Sequence, residues 1–144
     1  MRRALKQLAG ARQPAAADPE VLRELRMLRS RVPHLTGALA VGAGGALLAE
    51  DAPGARNGPL AALTATVLAD ALRLVETADR GRFRELLVRG ESGYVAAYAA
   101  GPATFLAVLA EPRANVGRVH LEARRTGARI ARLAAGADEG PQEG

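Results

Sequence analysis

Between residues 82 and 109 the chain falls into three short apolar segments, broken by Glu91-Ser92-Gly93 and by Gly101-Pro102. Turn-forming residues at that spacing make the segments three consecutive antiparallel strands. In the last of them Phe105, Ala107 and Leu109 alternate with Leu106 and Val108. A strand that is apolar on both faces belongs to a sheet covered on both sides. The first segment carries Arg82, Arg84, Glu85 and Arg89. Charge of this kind suits an edge strand, and it equally suits a regulated strand-to-strand contact between copies. No catalytic side chain stands in the meander, which points to an assembly or regulatory module rather than an enzyme.

The covering layers must come from helices. Asp18-Pro19-Glu20 is a helix start, with Asp18 as cap, Pro19 in the first turn and Glu20 at the positive end of the dipole. Leu22, Leu25, Leu28 or Arg29, and Val32 follow at helical spacing, and Pro33 ends the helix. Arg23, Glu24, Arg26 and Arg31 form its solvated face. Leu35, Gly37, Leu39 and Val41 then share one face of a strand. Gly42-Ala43-Gly44-Gly45 turns it into a hairpin with residues 46–49, and residues 50–58 read as loop.

A second helix spans residues 59–78. Leu60, Leu63, Val67, Ala71, Leu74 and Ala78 make one apolar face, expected to lie on the sheet. Ala61, Ala65, Leu68 and Leu72 make a second apolar shoulder. Two readings of that shoulder stay open: a broad core face, or contact with another copy. Thr66, Asp70, Arg73 and Thr77 form a polar stripe, read as solvated helix or as a partner-binding face. In the last helix, capped by Asn115, Val116, Val119, Ala123, Ile130 and Ala134 are buried. Arg118, Glu122, Arg125, Arg129 and Arg132 are exposed opposite them. Residues 1–17 form a flexible basic arm, 18–134 the folded domain and 135–144 a disordered acidic tail.

A chain of 144 residues holds one domain with a real core. It has no cysteine, so disulfides and thiolate metal sites are excluded. No apolar stretch reaches the ~20 residues that span a bilayer. Met1-Arg2-Arg3 is not followed by the apolar run of a signal peptide, so the expected location is cytoplasmic. Net charge is +5, and nearly all of the positive charge is arginine. That charge is dispersed and mixed in sign, which makes a weaker field for phosphate than one basic face would. Nucleic-acid binding is therefore the lesser reading.

No chemistry is specified. His34 and His120 have no acidic or second histidine neighbour at metal-ligand spacing. Ser30 and Ser92 lack a base and a nucleophile-elbow pattern. Gly42–Gly45 lacks the Lys-Ser/Thr of a phosphate loop. Tyr94 and Tyr98 share a strand face, where they either pack or stack a base. The chain reads as non-enzymatic and without cofactor.

The order helix, hairpin, helix, three-stranded meander, helix resembles the Roadblock/LC7 domain. The segment VPHLTGALAV, a Gly-rich turn and ALLAED resemble that family's first hairpin. The segment GYVAAYAAGPATFLAVLAEPRANVGRVHLEARR resembles the closing meander and helix of actinobacterial members. Gly44-Gly45 departs from the Asp-Gly of many relatives, and the basic arm has no counterpart in the minimal domain. The resemblance implies a three-layer α/β sandwich: a five-stranded antiparallel sheet, one long helix on one face, two helices on the other. It also implies homodimers with continuous sheets and packed central helices, placing Leu68, Leu72, Arg84, Leu86 and Val88 at the interface. It implies a regulator or scaffold of a Ras-like small GTPase, in operons that also hold a sensor kinase. Thr66, Asp70, Arg73 and Thr77 are then expected to touch the GTPase, and Arg73 or Arg80 to supply any arginine finger. The alternatives are a small-molecule sensor, which needs a polar-lined pocket between sheet and helix, and a purely structural dimerisation module.

Overall fold

The structure, a computed structural model, describes residues 18–53 and 57–143. The elements run α1 (Pro19–Arg31), β1 (Leu35–Gly42), β2 (Leu47–Asp51), α2 (Asn57–Thr77), β3 (Glu85–Gly90), β4 (Gly93–Ala99), β5 (Thr104–Ala110) and α3 (Val116–Glu143). The strands form one antiparallel sheet in the order β2-β1-β5-β4-β3. The long-range pairing of β1 with β5 joins the first hairpin to the meander. Helices α1 and α3 cover one face and α2 covers the other. The three-layer α/β architecture expected from the sequence is the one observed.

Local chemistry fixes the ends of α1. The Asp18 carboxylate accepts from the N–H of Glu20 at 3.0 Å and of Val21 at 3.1 Å. At the other end the Val32 N–H donates to Leu28 O at 3.1 Å, and Pro33 prevents a further turn. Asp18→Ala is expected to cost about 1 kcal/mol of unfolding free energy, as read by urea denaturation of the full chain. An unchanged midpoint would remove the cap from the account.

Between α1, α3 and the sheet lie Leu25, Leu28, Val32, Leu106, Val108, Val119 and Ile130, each at most 1 % exposed. Tyr94 and Tyr98 sit in the same core at 3 % and 1 %. Neither ring can stack a base, which settles that alternative in favour of packing. Gly127 completes the layer, since a Cβ there would come within 3.1 Å of Ala99 O. Helix and sheet approach closely because that position has no side chain. The buried Thr126 beside it was not expected from the periodicity.

Several sequence expectations are corrected. Leu35 does not share a face with Leu39 and Val41. The β1–β5 register slips between Leu35 and Gly37, and such a bulge moves Leu35 to the α1–α3 side, with Ala38 and Ala40. Strand β2 continues through Glu50 and Asp51, which pair with Leu39 and Ala38. Asp51 also meets Arg29 at 3.0 Å. Glu24 and Arg129, both expected to be solvated, form a half-buried ion pair at 2.7 Å that ties α1 to α3. Arg82 and Arg84 precede β3 rather than belonging to it. The backbone of α3 is helical to Glu143. The basic arm, residues 1–17, lies outside the described residues.

Candidate functional site

Helix α2 carries two apolar rows, and the structure seats them the opposite way from the expectation. Ala61, Ala65 and Leu68 are buried against the sheet, with Leu72 packed beside them. Leu63, Val67 and Leu74 are exposed, at 61 %, 39 % and 68 %. Periodicity alone ranks neither row. Side-chain size does: alanines let the helix backbone come down onto the first hairpin, where a Cβ at Gly45 would lie 3.7 Å from that of Ala65. The bulkier row is left outside. Leu68 is 1 % exposed, and Leu72 packs against the same core.

The exposed row does not stand alone. Leu60, Leu63 and Val67 form one wall of an apolar groove of about 160 Å³. Leu86 and Val88 of β3 form the other wall, over Val95 and Ala97. Val88 is 52 % exposed, and β3 is the last strand of the sheet. Of the five residues expected at a self-association surface, Leu86 and Val88 line this groove. Leu68 lies at the base of the groove, 1 % exposed, Leu72 packs beside it against the sheet, and Arg84 lies just before the strand. Leu63, Val67 and Leu74 are the residues missed. Their signal was present as the larger of the two apolar rows.

Beside this groove runs the polar stripe. Thr66, Asp70, Arg73 and Thr77 are all exposed. The Thr66 hydroxyl donates to Ala62 O at 3.1 Å, and Asp70 and Arg73 approach at 3.9 Å. At about 100° per residue the stripe points away from the sheet, next to the apolar row. Arg80 is exposed in the connection to β3.

A polar cluster fastens β3 on the other face. Arg124 donates to Glu85 through Nε at 2.9 Å and Nη2 at 3.0 Å. His120 Nε2 lies 3.8 Å from Glu85, and its Nδ1 lies 2.6 Å from the Tyr98 hydroxyl. Burial, aided by the Glu85 carboxylate, pushes the Tyr98 hydroxyl well above its ordinary range, so it stays protonated. The Arg124 hydrogen bonds hold the Glu85 carboxyl below its usual value against the opposing effect of burial. A carboxyl whose pKa is depressed on folding adds stability above its unfolded value and loses it as pH falls through the folded one. The unfolding midpoint is therefore expected to drop as pH is lowered from the ordinary glutamate range, and Arg124→Leu to flatten that drop. Parallel pH profiles for both proteins would contradict this.

Each histidine has a carboxylate neighbour that sequence spacing did not reveal, Glu111 for His34 at 3.2 Å and Glu85 for His120. Even so, no group of three or more His, Cys, Asp or Glu among the described residues could hold a metal ion. No helix among them is long and apolar enough to cross a membrane. A further depression of about 560 Å³ opens beyond the end of α2, with Leu72, Phe83 and Phe105 as apolar lining and Glu76 and Arg82 as its charged groups.

The sequence model of the Roadblock/LC7 domain matches residues 22–110. No curated protein matches the chain. Among solved structures, a Roadblock/LC7 domain from Streptomyces avermitilis is 22 % identical with a TM-score of 0.75, over 79 % of this chain and 97 % of that one. The gliding protein MglB from Thermus thermophilus is 25 % identical with a TM-score of 0.73, over 80 % and 88 %. Myxococcus xanthus MglB is 16 % identical with a TM-score of 0.74, over 82 % and 97 %.

Proposed function

The chain belongs to the Roadblock/LC7 domain family, and on that premise we propose that it is a non-catalytic, homodimeric regulator or scaffold of a Ras-like small GTPase. The observation that carries this reading is the exposed apolar row of α2 next to the open edge of β3. Leu63, Val67 and Leu74 are left uncovered by the described residues of the domain. A second copy related by a two-fold axis would cover them with the same row and extend the sheet through β3. Each leucine or valine so buried contributes roughly 1.5–3 kcal/mol before association costs.

In that dimer the two α2 helices lie side by side, and their polar stripes together form a platform facing away from the sheet. Thr66, Asp70, Arg73 and Thr77 of both copies would contact the GTPase there. Binding that differs between nucleotide states biases the switch regions by the difference in affinity. Arg73 or Arg80 would supply the charge if hydrolysis is stimulated. Unchanged stimulation after Arg73→Ala and Arg80→Ala would remove an arginine finger. The likeness of residues 93–125 to actinobacterial members supports an operon setting with a sensor kinase and a cytoplasmic site of action. The domain proper would be residues 18–134.

The test is capture from native lysate by the purified full chain, with GDP and with a non-hydrolysable GTP analogue, and identification by mass spectrometry. A small GTPase retained mainly with the analogue supports a regulator of the GTP state, and one retained in both supports a scaffold. No GTPase in either, with a folded dimeric bait, overturns the reading.

A further inference from the structure

Folding gathers charge that looks dispersed in the sequence. The Arg118 guanidinium donates to Arg31 O at 2.8 Å and Arg129 meets Glu24 at 2.7 Å. The end of α1 therefore lies beside the start of α3, and the two helices run antiparallel. Their outer surface carries Arg23, Arg26 and Arg31 from α1 and Arg118, Arg125 and Arg132 from α3, all exposed. The acids do not match them. Glu24 and Glu122 are half-buried and held by Arg129 and Arg125. That leaves Glu20 as the exposed acid among the described side chains of these two helices. No ion pair among the described residues engages Arg23, Arg26 or Arg132. Helix α2, on the other side of the sheet, has no such excess, with Arg73 set between Asp70 and Glu76.

The same surface holds uncovered apolar side chains. Six large apolar side chains are exposed among the described residues, and Leu63, Val67, Leu74 and Val88 belong to the α2–β3 surface. The other two, Met27 at 37 % and Leu121 at 46 %, stand on α1 and α3. At about 100° per residue, Leu121 points directly away from the buried Val119, Ala123 and Ile130, with Arg125 and Arg132 beside it. Met27 lies one turn along α1 from Arg23 and next to Arg26.

We propose that this face docks on an anionic lipid bilayer, with the arginines at the headgroups and Leu121 and Met27 at the acyl boundary. The combination selects the occupant. Exposed arginines attract any polyanion, and nucleic-acid phosphates would meet them as well. A phosphate backbone gains nothing from a leucine at the centre of the face, whereas a lipid interface takes both the charge and the apolar side chain. No helix among the described residues is long and apolar enough to cross a membrane, so the docking is peripheral. Because α1 and α3 cover the sheet face opposite α2, a docked chain turns its α2 surface toward solution. The proposal stands apart from GTPase binding and does not require it.

The test is sedimentation of the purified full chain with vesicles of phosphatidylglycerol mixed with phosphatidylcholine, against vesicles of phosphatidylcholine alone. Binding to the anionic vesicles only is expected, and it should weaken as salt is raised. Each arginine near an anionic surface strengthens binding roughly fivefold, so Arg26→Glu with Arg132→Glu should weaken it on the order of twenty-fivefold or more. Both positions are exposed and outside the ion pairs, so circular dichroism should be unchanged. Leu121→Ser should weaken vesicle binding several-fold, a response that a contact made by charge alone would not give. Unaltered binding by the doubly reversed chain would assign the lipid affinity to another part, such as residues 1–17, and overturn the face. A natural chain left in the supernatant by anionic vesicles would overturn the proposal outright. Duplex DNA that displaces the vesicles, with an affinity indifferent to Leu121→Ser, would make the occupant a nucleic acid and overturn the lipid assignment.

Discussion

Val67→Glu is expected to turn the full-length chain from a dimer into a folded monomer. Val67 lies at the middle of the exposed row, between Leu63 and Leu74, and is 39 % exposed in the isolated chain. In the proposed dimer it is covered by the same row of the partner. The substitution removes about 1.5–3 kcal/mol of apolar burial per copy. It also puts a carboxylate into a dry contact in both copies at once, where desolvation costs more than the lost packing. The sum corresponds to a rise in Kd on the order of a thousandfold or more. Sedimentation velocity reads the loss directly, and circular dichroism checks that the domain stays folded. A variant that still sediments as the natural chain does would move the contact off this face.

Leu68→Ala is expected to behave in the opposite manner. One residue along the helix, Leu68 is 1 % exposed and packs against Val41, Ala97 and Phe105. Truncating such a side chain costs about 2–5 kcal/mol, because the cavity it leaves closes only in part. For a small domain that is a large share of a total stability of about 5–15 kcal/mol. The proposed dimer would complicate the measurement, since association stabilises a fold more at higher protein concentration. A dilution series of urea denaturations resolves this. The loss from Leu68→Ala should persist at every concentration. The loss from Leu63→Ala, at a side chain 61 % exposed in the single chain and covered mainly by the proposed partner, should largely fade on dilution. The reverse pattern would restore the helix orientation expected from periodicity.

That orientation shows where the sequence was legible. The three-stranded meander could be read because its turns are marked by Glu91-Ser92-Gly93 and Gly101-Pro102, and β5 is apolar on both faces. The start of α1 could be read because Asp18 and Pro19 act through local hydrogen bonds and backbone geometry. That both faces of the sheet are covered followed from these, and which helices cover which face came from the resemblance to the Roadblock/LC7 family. The seating of α2 could not be read from two apolar rows of equal period. It depends on how closely alanines let the helix approach the sheet, which is a property of the pair and not of the helix. Leu35 failed for a related reason. Its alternation with Leu39 and Val41 is regular in sequence, and only the pairing with β5 inserts the extra residue. Long-range contacts such as Glu24 with Arg129 and Glu85 with Arg124 leave no mark in local spacing. The polar stripe of α2 was legible as a face, because its position follows from helical period alone.

The measurement closest to the central claim is the affinity of the captured GTPase, loaded with a GTP analogue, for the natural chain and for Thr66→Lys by titration calorimetry. Thr66 is exposed on the outward stripe, beside the apolar row and not in it, so the variant should remain a dimer. Binding to the natural chain is expected, with a loss of at least about tenfold, some 1.4 kcal/mol, in the variant. Equal affinity for the two proteins, with both shown to be dimers, would contradict the assignment of the α2 platform as the surface that receives the GTPase.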